Sequence, residues 1–160
     1  MVVLYRVDER LIHGQVVVGW GARLHPDRIV VVDDALAESD WEQELYTVGV
    51  PNEMTAEFDT VAAARDQLPE WQRSDERVLI LTRDVATMNR LAATGLLERA
   101  EINLGGIHHA PGRTRVLRYV FLDDAERSQL RELSGRSGAV VARDLPGARG
   151  VPLEELVRTS

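Results

Sequence analysis

Short apolar runs, each followed by a stretch with helical spacing, recur along this chain and leave few architectures open to it. The clearest run is Val78-Leu79-Ile80-Leu81, which has no polar alternate position. A strand of that kind is buried on both faces, as in helix-covered parallel sheets. Val2–Val7 and Arg28–Val32 read the same way, and weaker strands are expected at 54–58, 100–104, 115–122 and 139–143. Between them lie helical patterns. Val16, Trp20 and Leu24 share one face, as do Trp41, Leu45 and Val48, and again Val85, Met88, Leu91 and Ala92. Ser39-Asp40-Trp41-Glu42 has the form of a capping box. Asp59 is placed to cap a helix running to about Leu68, and Asp84 one that Gly95 closes. Leu130 and Leu133 mark a helix after Asp123, and a short one is expected at 153–157.

Strands alternating with helices predict an α/β fold: an open, mostly parallel twisted sheet of about seven strands, with helices on both faces. The run at 115–122 follows 100–104 without a helix between, so one antiparallel pair is expected near an edge. The chain shows no repeat or linker, and 160 residues suit a single domain over 1–160.

Composition removes several functions. There is no cysteine, hence no disulfide, thiolate nucleophile or thiolate metal site. A formal charge of −7 argues against nucleic acid as a partner. No apolar run is long enough to cross a bilayer, and the N-terminus lacks the features of a signal peptide, so a cytoplasmic location is expected. All nineteen basic residues are arginine, the residue best suited to bidentate phosphate contacts.

In an open α/β sheet, ligands bind beyond the carboxyl ends of the strands. Three polar segments fall there: 8–15, then Thr82-Arg83-Asp84, then 103–109. In the first, His13 stands where a helix begins, beside unpaired amides and the positive end of the helix dipole. That setting favours an anion, and neutral imidazole is a competent nucleophile toward phosphorus. Arg10 can offer parallel donors to phosphate oxygens. Asp8 can hold Arg10 or orient the ring nitrogen that does not react. Gly14 leaves room for close approach.

Arg6-Val7-Asp8-Glu9-Arg10-Leu11-Ile12-His13-Gly14-Gln15-Val16 resembles the signature of the IIB component of the mannose/fructose/sorbose family of the bacterial sugar phosphotransferase system. Ile102-Asn103-Leu104-Gly105-Gly106-Ile107-His108 is similar to a second segment of that family. The resemblance implies a phosphocarrier in which a phosphorylated IIA protein donates to His13. His13 then donates to a sugar carried by membrane IIC and IID partners, at the inner face of the plasma membrane. It implies no metal and no cofactor, phosphorylation at Nδ1, Arg10 as phosphate clamp, and Asp8 and Gln15 as supporting contacts. Where the family often carries a Phe-Lys-Ser/Thr-Pro turn, this chain has Thr82-Arg83-Asp84, whose Thr82 or Arg83 is placed to reach the phosphate instead. Asn103, Gly105, Gly106 and His108 are assigned to the rim or to partner contact.

Two other readings compete: a regulatory module that uses the charge state of His13 to control a partner, and a non-catalytic phosphate-binding domain. His108-His109 reads as surface rather than a metal site, since adjacent side chains diverge. Asp33-Asp34 reads as helix capping rather than a Mg²⁺ site. Trp20 and Trp41 are expected in the core and Trp71 at the surface. A homodimer is compatible with the sequence, but no exposed apolar stripe is read that demands one.

Overall fold

The computed structural model describes residues 1–158. Strands β1 (Val2–Val7), β2 (Arg28–Val32), β3 (Thr55–Asp59), β4 (Val78–Thr82), β5 (Glu101–Leu104), β8 (Ala139–Ala142) and β9 (Val151–Pro152) form one sheet. Their order is β3-β2-β4-β1-β5-β8-β9. Every pairing is parallel except β8 with β9 at one edge. Thus the sheet is mostly parallel, with its antiparallel pair at an edge. The antiparallel strand, however, is β9 and not the run at 115–122.

That run instead folds back on itself as β6 (Thr114–Leu117) and β7 (Val120–Leu122), a separate two-stranded hairpin. Its turn at Arg118 and Tyr119 carries none of the Gly, Pro, Asn or Asp residues that announce a hairpin. A parallel bridge between Ile107 and Val120 ties the hairpin to the loop after β5.

Alternation along the strands feeds two cores. Val78 and Ile80 of β4 face one side, and Leu79 and Leu81 the other, all fully buried. The first side is covered by α3 (Val61–Arg73), α4 (Val85–Ala92) and α5 (Asp124–Arg136), through Leu68, Met88 and Leu130 among others. The second is covered by α1, in which π-helical Gln15–Trp20 runs into α-helical Gly21–Leu24, and by α2 (Asp40–Val48). A last short helix, α6 (Leu153–Leu156), follows β9.

Several local expectations are corrected. Thr60, not Asp59, caps α3, accepting a bond from the Ala63 amide at 3.1 Å; Asp59 ends β3 instead. The helix runs through Pro69 to Arg73, because burial of Leu68 and of Trp71, only 6% exposed, holds both turns against the core despite the missing amide. Ser39 bonds the Glu42 side chain rather than a backbone amide, so the capping box there does not form. Asp123 and Glu126 do form one at the start of α5. Trp41 is 66% exposed, because α2 lies at the sheet edge and turns that face to solvent.

The chain leaves β1 toward β2 and leaves β5 toward β8, in opposite directions along the sheet. Between the carboxyl ends of these neighbours lies the crevice where such sheets bind ligands. Val7 pairs with Leu104 there, which puts the loop after β1 beside Gly105 and Gly106.

The two-sided burial of β4 makes it the mechanical centre. Ile80→Ala should lower unfolding free energy by about 3 kcal/mol, whereas exposed Val48→Ala should stay within about 0.5 kcal/mol. Urea midpoints at constant m-value check both.

Candidate functional site

The site is built on a polar cluster buried at the end of β1. Arg6 and Asp8 lie on the α1 side of the sheet, and both are fully buried. Asp8 Oδ2 collects three donors: Arg6 Nη2 at 3.1 Å, Arg10 Nη2 at 2.9 Å and His13 Nε2 at 3.3 Å. Its Oδ1 accepts from the Arg10 amide and from Arg10 Nε, each at 3.0 Å. Burial opposes ionisation of Asp8. The bonds from His13 and Arg10 and the charge of Arg6 outweigh it, and hold the carboxyl well below the usual carboxylate range.

A buried guanidinium needs partners on every side. Arg6 donates to Asn103 Oδ1, to the Arg143 carbonyl at 2.8 Å and to the Asp144 carbonyl at 3.1 Å. Its Cζ lies 5.2 Å from the centroid of the Trp20 ring, whose Nε1 donates to the same Asp144 carbonyl at 3.2 Å. Burial draws its pKa down and Asp8 pulls it back up, with burial the stronger. Asn103 therefore serves the cluster from within and is not at the rim.

The turn from Asp8 to His13 is tight. The Leu11 amide bonds the Asp8 carbonyl at 3.0 Å, and Leu11 itself takes φ +56°, a left-handed conformation that costs a branched residue roughly 1 kcal/mol or more. Complete burial of the Leu11 side chain compensates that cost. The result places His13, half-buried, directly before the first turn of α1, where the Val17 amide bonds the His13 carbonyl at 3.0 Å. Among the described residues nothing beyond its own chain neighbours lies within 4 Å of where a Cβ on Gly14 would sit, so the space above this turn is open.

Arg10 is 28% exposed at its side chain and spans the rim. Besides Asp8 it donates to Gln15 Oε1 at 2.9 Å, and its Nη2 lies 3.6 Å from Asp144. Three of its five donors are thus engaged, leaving one N–H on each terminal nitrogen. Asp144 also faces Arg118 at 3.6 Å. Neither residue carried a motif in the sequence; only the fold brings the loop after β8 and the hairpin turn to this rim.

Gly105 and Gly106 matter because of what passes over them. A Cβ at Gly105 would overlap Arg6 Nη2 and Asp8 Oδ2, and one at Gly106 would crowd Arg10 Nε at 3.0 Å. The pair is a slot for two guanidinium groups rather than simply a turn. Glu9 fastens the opposite wall, accepting from the His108 amide at 2.9 Å and from Arg113 at 2.6 Å.

The remaining expected residues turn their side chains to other partners, although the Thr82 carbonyl accepts from the Asp8 amide at 2.9 Å. Thr82 donates its hydroxyl to the Asp84 carbonyl at 3.0 Å, and Arg83 pairs with Asp33 at 3.3 Å. His108 is exposed, and the ring of His109 meets Phe121 edge-on at 5.6 Å. Asp33 and Asp34 accept from the amides of Leu36 and Val61.

Over residues 2–160 the chain matches the family model described as the PTS system sorbose subfamily IIB component. It is 28% identical over 149 residues to the N-acetylgalactosamine-specific phosphotransferase enzyme IIB component 1 of Escherichia coli K12, covering 91% of this chain and 92% of that one. It is 31% identical over 133 residues to the mannose-specific EIIAB component of the same strain, covering 83% of this chain but 41% of that longer protein. The solved IIBSor domain of the sorbose permease from Klebsiella pneumoniae has a TM-score of 0.89 at 25% identity, covering 100% of this chain and 98% of that one.

The depressed pKa of Asp8 has a signed consequence. Its contribution to stability is complete above the unfolded carboxylate pKa of about 4 and is lost as pH falls toward the lower folded value. Asp8→Asn, which strands the buried Arg6 charge, should cost about 3 kcal/mol or more at neutral pH. The gap from the parent should narrow below about pH 4. Denaturation curves across that range check it, and parallel curves would refute it. Gly105→Ala should cost roughly 1–3 kcal/mol by forcing Arg6 and Asp8 aside.

Proposed function

Since the chain belongs to the sorbose subfamily of phosphotransferase-system IIB components, we propose that His13 accepts a phosphoryl group from a phosphorylated IIA partner and passes it to a sugar carried by membrane IIC and IID partners. The observation that supports this most strongly is the contact between Asp8 Oδ2 and His13 Nε2 at 3.3 Å. A carboxylate there keeps the proton on Nε2, so the lone pair stands on Nδ1. Nδ1 is then the nucleophile.

In the first step Nδ1 attacks phosphorus in line. The bond from phosphorus to the donor imidazole breaks as the bond to His13 forms. Positive charge grows on the His13 ring, and the ionised Asp8 already faces it. Negative charge spreads over the equatorial oxygens. The free N–H groups of Arg10 and the first amides of α1 are the donors placed to meet it. In the second step a sugar hydroxyl attacks phosphorus, the bond to Nδ1 breaks, and the hydroxyl proton leaves to the freed imidazole. The phosphoryl group comes from a partner protein, and the transfer as proposed draws on no metal or cofactor.

The cluster behind the rim suits such a step because it is rigid. Arg6 holds Asp8 from within, and Asp8 holds Arg10 at 2.9 Å and His13 at 3.3 Å. Donors fixed before the reaction do not have to reorganise during it. The name EIIAB of the mannose-specific relative joins A and B components in one protein, which supports a IIA protein as donor. The relatives' names cite N-acetylgalactosamine, mannose and sorbose, so the acceptor proposed here is a sugar hydroxyl without further choice. Among the described residues no helix is long and apolar enough to cross a membrane, and membrane passage is assigned to the partners.

Incubation with a phosphorylated IIA partner should add one acid-labile, base-stable phosphoryl group that maps by fragmentation to His13. His13→Ala should remove it. Arg10→Lys keeps the charge but loses the planar fork, and should slow phosphorylation about a hundredfold while leaving the fold intact. Label on another residue, or an Arg10→Lys variant as fast as its parent, defeats the assignment.

A further inference from the structure

The charge of this chain is unevenly placed. Residues 29–64 hold nine Asp and Glu and no Arg, Lys or His, while the rest of the chain carries seventeen acids against nineteen arginines. That segment comprises nearly all of β2, then α2 and β3. Arg28, Arg83 and Arg90 from outside it pair with Glu57, Asp33 and Asp34, and burial beside Glu57 pushes the Asp59 carboxyl up to about 7, so the excess negative charge at this end of the sheet rests on Glu38, Asp40, Glu42, Glu44 and Glu53. The segment includes an open edge, since among the described residues β3 bonds only to β2.

At the same edge, α2 turns apolar residues to solvent. Leu45 and Val48 are 64% and 85% exposed and lie in register with Trp41 at i, i+4 and i+7. The inward side of the helix is marked by Tyr46, whose ring lies 6.4 Å from Phe58. One step around the helix, Asp40 and Glu44 line a groove of about 590 Å³ between α2 and β3, where Ala56 and Phe58 also lie. Single apolar side chains on a surface are ordinary. Here three in register run beside a row of acids and an open strand edge.

We propose that the α2–β3 face docks a basic amphipathic segment of a partner polypeptide, with its apolar side chains on Trp41, Leu45 and Val48 and its Lys or Arg side chains on Asp40 and Glu44. Charge selects this occupant. A second copy of the chain would bring a matching set of acids to the same place. Anionic lipid and nucleic acid are repelled outright. A cationic amphipathic segment answers the stripe and the acids together. The cytoplasmic flanks of membrane proteins commonly carry that chemistry. Identifying the partner with a membrane component rests on the proposed function; the docking chemistry uses neither His13 nor Arg10 and stands apart from it.

The full chain is titrated with a synthetic helical peptide of leucine and lysine whose leucines recur at i, i+3, i+4 and i+7, and with a scrambled peptide of the same composition. The amphipathic peptide should bind, and amide chemical shifts should move at 40–48 and 55–59. A Trp41→Ser/Leu45→Ser variant should bind about tenfold more weakly, with unchanged stability because both residues are exposed. Asp40→Asn/Glu44→Gln should flatten the salt dependence of binding. Equal binding of the scrambled peptide, shifts confined to another face, or undiminished binding by the apolar variant overturns the proposal. So does sedimentation showing that the unliganded chain dimerises through Trp41, since the occupant is then a second copy. Phosphorylation of His13 in the Trp41→Ser/Leu45→Ser variant should match the parent, which separates failure here from failure of the transfer reaction.

Discussion

A single carboxylate oxygen, Asp8 Oδ2, organises the functional end of this molecule. Two arginines and a histidine converge on it within 3.3 Å. Taking Asp8 and Arg6 out of water is costly, and a buried ion pair alone is weak grounds for stability. What it supplies is position. Arg6 bonds Asp8 from behind, and Asn103 with two backbone carbonyls takes up the rest of its terminal N–H groups, leaving only Nε without a partner among the described residues. Asp8 is thereby free to fix the two groups at the surface. Loss of Asp8 leaves the buried Arg6 charge without its carboxylate partner, whereas loss of Arg10 or His13 leaves the Arg6–Asp8 pair in place.

The fold explains why the cluster sits where it does. β1 and β5 are neighbours whose chains depart in opposite directions, and the crevice so opened receives one loop from each. The β1 loop carries the reactive groups; the β5 loop contributes glycines, because only a backbone without Cβ lets Arg6, Asp8 and Arg10 pass so close. The sorbose-subfamily motif can therefore be understood as two halves of one packing problem: large charged side chains from one strand end, and empty space from the next.

How much of this was legible depended on whether the signal was local. β4 was plain because burial on both faces removes every polar residue from the run. The hairpin of β6 and β7 was hidden because its turn lacks turn residues, and β9 because two residues form no pattern. Trp71 is buried because α3 continues past Pro69 to Arg73, where the sequence predicts a helix ending near Leu68; Trp41 is exposed for another reason. Helical periodicity shows that apolar residues share a face, but only the sheet edge decides which way that face looks. In the site, Asp8, Arg10, His13 and Gln15 fall within one short loop and come together. Thr82 and Arg83, chosen for their place after β4, find other partners, while Asp144 arrives from more than a hundred residues away with no local mark.

Charge placement links the site to the acidic edge. A phosphoryl donor is itself anionic, and nine acids near His13 would repel it. Most lie instead around α2 and β3, and β3 is three strands from β1, while Asp33 and Asp34 at the end of β2 are paired with Arg83 and Arg90. At about 4.8 Å per strand that is roughly 14 Å. Physiological salt screens exposed charges over about 8 Å, so the edge contributes little repulsion at the rim. The rim and the cluster buried behind it keep their own balance through Arg6, Arg10 and Arg118 against Asp8 and Asp144. The same separation lets the chain remain strongly acidic overall, which resists nonspecific association with nucleic acid and anionic lipid, while presenting a locally cationic seat to the group it is proposed to carry.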